Sequence, residues 1–261
     1  MEMVIFIIIV FILGVGLLIY MLREAFLNNV VKHELLFPDF PESFEKVTLF
    51  FISDIHRRTI SDKIINTIKG NADIVIIGGD LTEKGVPLNR VKENLAKLKQ
   101  IGPVYFVWGN NDYEINYHEL DAILLDYGVK VLDNTAIVFE SATGEKLSLL
   151  GVDDMNQQRD RLDLALLDAE EQSFKILTSH YPAIIEKIRP EHEIRLVLSG
   201  HTHGGQIHIL GYSPYKRGMV TKLINTTLLI SNGYGTTTVP LRLGAPAECH
   251  LITIRNGQNQ S

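Results

Sequence analysis

Five short groups of polar residues, each directly after an apolar run, carry the side-chain types that bind metal ions. In chain order they are Asp54-Ile55-His56, Gly79-Asp80, Gly109-Asn110-Asn111-Asp112, His180 and Gly200-His201-Thr202-His203. Mixed carboxylate and imidazole ligands suit Mn, Fe, Zn or Ni rather than calcium. The chain has one cysteine, which excludes a cysteine-rich structural zinc site. The pattern therefore points to chemistry performed with divalent cations.

Spacing within the groups supports this interpretation. Asp54 and His56 lie two positions apart, as do His201 and His203, so an extended backbone points both members of a pair the same way. Asp80 is the natural candidate for a carboxylate shared by two cations. Two cations about 3.5–4 Å apart would jointly activate a water and clamp a phosphoryl oxygen.

Taken singly, most of these groups are weak signals. Asp-x-His is common by chance, Gly-Gly-Asp is more often a turn than a ligand, and a lone histidine such as His180 is more often structural. Gly-His-Thr-His-Gly-Gly is a stronger pattern. All five groups in order, each after a strand, favour a metal site over a purely structural role.

The elements that must position these residues are predicted from hydrophobic periodicity. Apolar runs rich in β-branched and aromatic residues predict strands at 46–53, 73–77, 104–108, 175–178, 195–198, 228–231 and 249–254. Helical spacing predicts helices at 61–69, 88–101 and 117–127, and residues 137–140 and 146–152 form a predicted hairpin. The fold class is α/β, in which ligands gather outside the carboxyl ends of the strands.

Residues 3–22, from Met3 to Leu22, form an uncharged apolar run long enough to cross a bilayer at about 1.5 Å per residue. A cleaved signal peptide would have a basic start and small residues before the cleavage site, whereas Met1 and Glu2 precede this run and bulky residues follow it. A core helix this uniformly apolar would need a larger protein around it. We therefore predict a transmembrane anchor, which also explains the positive mean hydropathy of +0.10.

The rest of the chain divides into a connection and a domain. Residues 23–44, with Pro38 and Pro41, are predicted to be an extended juxtamembrane tether, and residues 45–256 a single domain. Arg23 and Lys32 follow the apolar run and no basic residue precedes it, so the positive-inside rule predicts a single-pass protein of the cell membrane whose domain faces the cytoplasm.

The charge balance restricts the partners. The chain has 25 basic and 31 acidic residues, a formal net charge of −6. This balance and the lack of a basic stripe argue against nucleic-acid binding and against a nuclease.

The series of five polar groups resembles the motifs of the calcineurin-like metallophosphoesterase superfamily, and the resemblance extends over about Val47 to Ile254. GHTHGGQI at 200–207 and the segment 231–248 resemble a bacterial, membrane-associated branch. The resemblance implies a four-layer α-β-β-α sandwich with a dinuclear metal centre. Carried over by motif, one metal is held by Asp54, His56, Asp80 and His203, and the second by Asp80, Asn110, His180 and His201.

One position departs from the family pattern, which usually reads Gly-Asn-His-Asp/Glu. In that pattern the histidine stabilises the transition state or protonates the leaving group, and the acidic residue orients it. Here the corresponding catalytic positions are Asn111 and Asp112. An amide is not a general acid near neutral pH, and general acid catalysis contributes about 10²–10⁴-fold, so slower turnover or a need for good leaving groups is expected.

The resulting hypothesis is a membrane-anchored phosphoesterase that uses two divalent cations and acts on a phosphate ester, with a lipid-linked or envelope-precursor substrate suggested by the anchor. The alternative is a non-catalytic or weakly catalytic membrane-anchored module that binds metal or nucleotide through a degenerate site. Retention of all seven ligand positions weighs against that alternative. Arg57 and Arg58 are weaker candidates for substrate contacts, and Arg242 is expected to be structural.

Overall fold

A computed structural model describes residues 1–258. Within this range the α-helices are α1 (Glu2–Ala25), α2 (Asp62–Ile68), α3 (Leu88–Leu98), α4 (Tyr117–Asp126) and α5 (Leu162–Asp168). The strands are β1 (Asn29–Phe37), β2 (Lys46–Ile52), β3 (Ile74–Gly78), β4 (Val104–Val107), β5 (Lys130–Val131), β6 (Thr135–Glu140), β7 (Lys146–Gly151), β8 (Ser173–Thr178), β9 (Ile194–Ser199), β10 (Val220–Lys222), β11 (Thr227–Ile230) and β12 (Glu248–Asn256).

The strands form two six-stranded sheets. The first has the order β1-β12-β2-β3-β4-β5, and the second β10-β11-β9-β8-β7-β6. In the first sheet only the β12–β2 pair is antiparallel, so β2, β3 and β4 run side by side in one direction. In the second, β7, β8, β9 and β11 are parallel and the two edge strands are antiparallel. Parallel strands bring their carboxyl ends to one edge.

Alternation of side chains along the strands builds the layers. In β2, Leu49 and Phe51 pack between the two sheets, whereas Phe50 and Ile52 pack against α2 and α3 on the outer face. On the other side, α5 packs against the outer face of the second sheet. The predicted α-β-β-α sandwich is confirmed, as are the predicted hairpin and the strands and helices that lead to the polar groups.

Part of the predicted tether is instead a strand of the domain. β1 pairs with β12 in parallel over nine residues, from Asn29 opposite Glu248 to Phe37 opposite Asn256. Leu35 and Phe37 of β1 are buried in the core between the sheets. The polar residues of this segment concealed the strand, because most of them lie on its exposed or half-buried positions.

α1 carries the predicted anchor and is, within residues 1–258, the one helix long and apolar enough to cross a membrane. Its apolar stretch is exposed rather than buried in the domain, which excludes the core-helix alternative. Its last turn is docked: the backbone N–H groups of Arg242 and Ala247 donate to the carbonyls of Met21 and Glu24, both at 3.1 Å.

Candidate metal centre

The predicted ligands meet where the carboxyl ends of both sheets adjoin. Strands β2, β3 and β4 of the first sheet lead to Asp54 and His56, to Asp80 and to Asn110. Strands β8 and β9 of the second sheet lead to His180 and to the pair His201 and His203. The structure thus brings together all seven residues that the sequence singles out as metal ligands.

Five of these seven residues have a positive φ, which is uncommon for residues other than glycine. The angles are 53° at Asp54, 50° at His56, 52° at Asp80, 68° at His201 and 52° at His203. Such conformations cost free energy and concentrate at functional sites, where the surrounding structure enforces them. Five such residues in one cluster indicate a functional site.

One group consists of Asp54, His56 and His203, all buried, with ligand atoms within 4.8 Å of one another. The Nε2 atoms of His56 and His203 are 3.1 Å apart, and Asp54 Oδ1 lies 3.4 Å from His203 Nε2. Asp80 Oδ2 approaches the same point, at 3.7 Å from His56 Nε2. These four residues are the set that the family resemblance assigns to one cation.

The second group lies directly beside the first. Asp80 Oδ2 is 3.2 Å from His180 Nε2, and His201 Nδ1 is 3.2 Å from that same nitrogen and 2.9 Å from Asn110 Oδ1. Asp80 Oδ2 therefore faces a histidine of each set, the position that a bridging carboxylate requires. Asp54 also belongs to both buried clusters, since it lies with Asp80 and His180 as well as with His56 and His203.

Neighbouring acceptors orient two of the imidazoles. The carbonyl of Gly78 is 2.8 Å from His180 Nδ1, and a carbonyl only accepts, so Nδ1 carries a proton and Nε2 is the ring nitrogen that faces the site. Glu83 Oε2 lies 3.0 Å from His56 Nδ1 as an ion-pair contact without hydrogen-bond geometry, and its charge favours a proton on that nitrogen. Carbonyl or carboxylate partners of this kind commonly orient metal-binding histidines.

The polar atoms at the centre fit a cation. Asp54 Oδ2 is buried and has no hydrogen-bond partner among the residues that the structure describes. An unpaired buried carboxylate oxygen costs free energy, and a cation at this point would satisfy it. The Nε2 atoms of His56, His180 and His203 face the same region. Within residues 1–258, only histidines form ion pairs with Asp54 or Asp80, and no lysine or arginine does.

Burial and charge set the protonation of these imidazoles. Burial lowers the pKa of His203 well below its ordinary value, and burial together with the His180 charge lowers the pKa of His201 to about 4. Both rings are therefore neutral near pH 7, the form that binds a cation. At His180 burial acts in the same direction, but the adjacent Asp80 carboxylate raises its pKa to about 10.

Asp112 holds the strand-end loops together. Its carboxylate is fully buried and accepts backbone N–H bonds from Asp80 at 2.8 Å, Thr82 at 3.0 Å and Gly109 at 2.9 Å. None of the hydrogen bonds of its carboxylate joins it to the Asn111 side chain within the described residues. Asp112 thus ties the loop after β3 to the loop after β4.

Asn111 contacts both Asp80 and Asn110. Its backbone N–H donates to Asp80 Oδ1 at 2.8 Å, and its side-chain oxygen accepts from Asn110 Nδ2 at 3.0 Å. The second bond turns the amide of Asn110 so that Oδ1 faces His201. Its own Nδ2 donates to Glu114 Oε1 at 2.9 Å.

Gly79 is required because its backbone lies close to the imidazole of His180. Gly79 has φ +83°, and a Cβ there would lie 2.6 Å from His180 Nδ1. A side chain would therefore displace the imidazole as well as strain the turn.

The three arginines have different roles. Arg242 is fully buried, and its guanidinium donates to the carbonyls of His203, Asn232, Gly235 and Ala245, which confirms the structural role expected for it. Arg58 donates to the carbonyls of Ala25 and Leu27 at the end of α1. Arg57 is exposed and forms an ion pair with Glu83.

Glu83 is the site residue that sequence reasoning missed. It lies three positions after Asp80 in Asp-Leu-Thr-Glu, a string with no recognisable ligand spacing. Only the folded loop shows that it contacts His56 and Arg57.

Two facing mixed sheets with clustered Asp, His and Asn side chains at their carboxyl ends define the metallophosphoesterase class. Residues 47–205 match the family described as calcineurin-like phosphoesterase, which is more than half of the chain. The chain belongs to this family, and its Asp and His clusters are compatible with a dinuclear divalent metal site.

The chain is similar to proteins of bacteria and animals, two of which are named as metallophosphoesterases below. The uncharacterized protein YpbG of Bacillus subtilis is 45% identical over 210 residues, covering 80% of this chain and 81% of that protein. A Danio rerio protein named "transmembrane protein with metallophosphoesterase domain" is 30% identical, covering 87% of this chain but 57% of its own length. The uncharacterized metallophosphoesterase YkoQ of Bacillus subtilis is 28% identical over 226 residues.

Solved structures show the fold alone. A 5'-nucleotidase precursor from Thermus thermophilus aligns with a TM-score of 0.51 at 14% identity, over 80% of this chain. The NAD nucleotidase of Haemophilus influenzae aligns with a TM-score of 0.50 over 73% of it. The chain spans about half the length of each, 55% and 45% respectively.

Proposed function

We propose that the protein is a membrane-anchored phosphoesterase that hydrolyses a phosphate ester with two divalent cations drawn from Mn, Fe, Zn or Ni. Residues 3–22 are the anchor, residues 45–256 the catalytic domain, and β1 adds the connecting segment to that domain. One cation is held by Asp54, His56, Asp80 and His203. The second is held by Asp80, Asn110, His180 and His201.

The observation that carries this proposal is the convergence of buried acceptor atoms around Asp80 Oδ2, which lies 3.7 Å from His56 Nε2 and 3.2 Å from His180 Nε2. When bound there, two cations supply activation of water and neutralisation of charge on a phosphoryl group. Glu83 and the Gly78 carbonyl hold the Nδ1 side of these rings, which directs the Nε2 atom of each histidine at the site.

At the leaving-group side, the chain offers an amide where the family usually has an imidazole. Asn111 donates hydrogen bonds but transfers no proton near pH 7, so departure of a poor leaving group is the step it supports least. We propose that its main contribution is to orient Asn110, whose amide it contacts at 3.0 Å. Asp112 positions the loops rather than a general acid.

Several observations support membrane anchoring by α1. The helix is continuous with the domain, because β1 begins four residues after Ala25 and pairs along the whole of β12. Its last turn is bonded to the domain through Arg242 and Ala247. Arg23 and Lys32 follow the apolar run, so we propose that the domain faces the cytoplasm.

A groove at the base of α1 supports a lipid-linked substrate. It measures about 610 Å³ and is lined by cationic residues and by apolar ones, among them Arg57, Arg90, Phe26, Val239 and Pro240. Guanidinium groups recognise phosphate, and apolar walls accept an acyl chain. Arg57 follows His56 directly in the chain, which joins this groove to the loop of the metal centre.

The test is a hydrolysis assay on the full-length protein in lipid nanodiscs, loaded in turn with each of the four metals. Chromogenic phosphate monoesters and diesters and a phosphorylated lipid serve as substrates. We expect turnover that chelation abolishes and metal restores, and that Asp54→Asn removes while the exposed Asp163→Asn does not. A metal-loaded protein that hydrolyses none of these esters would instead support the non-catalytic binding module. Hydrolysis of the chromogenic esters but not of the lipid would contradict only the lipid-linked substrate.

A further inference from the structure

The loop that follows the metal centre exposes large apolar side chains. We define the 209–219 loop as the residues from Ile209 to Met219, ILGYSPYKRGM. Ile209 is 68% exposed, Leu210 95% and Tyr212 84%. Scattered exposed apolar residues are ordinary, but a contiguous group at a loop tip marks an interaction site.

The conformation of the tip makes a leucine there harder to explain. Ile209 and Tyr212 exchange two backbone hydrogen bonds, at 3.0 and 2.9 Å, so Leu210 and Gly211 are the two central residues of a tight hairpin. Both have positive φ, 52° and 86°. Asn, Asp or Gly is favoured in such a turn. Neither burial among residues 1–258 nor backbone preference accounts for a leucine at position 210.

The base of this loop adjoins the end of the membrane helix. Ile207 bridges to Leu243, and the N–H of His208 donates to the Leu243 carbonyl at 2.8 Å. The next residue back, Arg242, donates its N–H to the carbonyl of Met21 in the last turns of α1. The tip is thus only a few residues away from a direct contact with the helix, near the point where the apolar stretch ends.

The charge of this part of the chain differs from that of the whole. Residues 194–247 contain five basic residues and neither Asp nor Glu, in a chain whose net charge is −6. Lys216 and Arg217 of the 209–219 loop are exposed. Basic side chains beside exposed apolar and aromatic ones are the composition of segments that lie in the interface of an anionic bilayer.

We propose that the 209–219 loop inserts into the interface of the same bilayer that α1 spans. Ile209, Leu210 and Tyr212 enter the boundary between headgroups and acyl chains, and Lys216 and Arg217 contact anionic headgroups. The loop begins six residues after His203, so this second contact holds the edge of the metal centre against the membrane surface. The inference rests on the proposal that α1 is an anchor, but not on the proposed enzymatic activity.

The experiment uses the single native cysteine to advantage. Cys249 is fully buried, so a cysteine introduced at an exposed position is the one that a fluorophore labels. Three full-length variants are labelled in detergent with an environment-sensitive dye: Leu210→Cys, Leu13→Cys in the middle of α1, and Ile224→Cys. They are then placed in nanodiscs that contain anionic lipid, with and without a lipid-borne nitroxide quencher.

Ile224 is the matched control because it is 99% exposed and apolar but lies far from α1. It lines a surface groove with Phe37, at the far end of β1, whose nine residues extend about 26 Å from Asn29. Unchanged thermal unfolding of each labelled variant verifies that the fold is intact.

We expect the label at Leu210 to shift to the blue and to lose most of its emission to the quencher, as the label at Leu13 does, while the label at Ile224 keeps its emission. A label at Leu210 as unquenched as that at Ile224, beside a quenched Leu13, would overturn the loop proposal and leave the anchor standing. An unquenched Leu13 would overturn both.

Discussion

We propose that Asn111 occupies the position at which the family pattern usually has histidine, and its contacts indicate what an amide does there. The amide contacts Asn110 and donates to Glu114, and it is not a proton donor near pH 7. The seven proposed metal ligands are all close by, so we expect the lack of a proton donor to affect the departure of the leaving group more than substrate binding.

Replacement of Asn111 by histidine should therefore raise the rate selectively. We predict that Asn111→His increases kcat for an alkyl phosphate ester on the order of 10²-fold, the lower range for general acid catalysis, and changes hydrolysis of a nitrophenyl ester far less. Asn111→Gln is the matched control, because it keeps an amide. An alkyl-ester rate that is equal or lower in the histidine variant would refute the assignment.

Asp112 offers a prediction about stability rather than chemistry. Asp112→Asn replaces a buried carboxylate that accepts three backbone N–H bonds. The asparagine amide keeps one of the two acceptor oxygens, so at least one buried N–H loses its partner at a cost of about 1–3 kcal/mol. We therefore expect a loss of about 2 kcal/mol in the free energy of unfolding, measured by urea denaturation. Asp121→Asn, at an exposed position, should leave the midpoint unchanged. An unaltered midpoint for Asp112→Asn would contradict the positioning role.

Residue types and spacing predicted that the seven proposed ligands would lie together, because each follows a strand and the strand ends converge. That they bind metal stays a prediction. The roles of Asp112 and Glu83, which lie beside the proposed ligands, were not predictable from the sequence. Asp112 resembles a catalytic partner by its place in the motif, yet the fold turns its carboxylate toward backbone amides of two loops. Glu83 carries no signal in the sequence, because its contact with His56 depends on how the loop after β3 bends back toward the loop after β2.

At the scale of secondary structure, hydrophobic runs predicted the central strands well and the edges poorly. The buried residues of β2, β3 and β4 form continuous apolar runs, as expected for strands covered on both faces. β1 is an edge strand with only Leu35 and Phe37 buried, so its pattern is indistinguishable from that of a polar connection. The short strands β5 and β10 have too few residues for any periodicity to register.

The end of α1 is held by one side chain whose loss should loosen the helix. Arg58 donates to the carbonyls of Ala25, Leu27 and Tyr234 and also contacts Asn28. We predict that Arg58→Gln speeds amide hydrogen exchange across residues 25–30 by at least about tenfold, as expected for a loss of about 1.4 kcal/mol or more in local stability.

The control is Arg161→Gln, because the Arg161 side chain is exposed and pairs only with Asp163 within the described residues. Unchanged exchange at 25–30 in Arg58→Gln would mean that the backbone bonds from Arg242 and Ala247 dock the helix without this side chain.

Across the whole molecule, the amino-acid composition combines an apolar helix, α1, with a domain whose charges are unevenly distributed. The positive mean hydropathy comes from α1, whose apolar stretch is not buried in the domain. The acidic net charge includes buried carboxylates at Asp54 and Asp80, whose surroundings suit cations. Residues 194–247, which include the 209–219 loop, contain basic residues but neither Asp nor Glu. Charge counted over the whole chain conceals this asymmetry.

The most direct test of the central claim is the metal content of the purified full-length protein, measured by inductively coupled plasma mass spectrometry. We predict two divalent ions per chain and, for Asp80→Ala, loss of bound metal together with loss of ester hydrolysis, because Asp80 faces histidines of both sets. Asp163→Asn should retain both ions. A protein that hydrolyses esters without bound metal, or an Asp80→Ala variant that keeps two ions and full activity, would contradict the account.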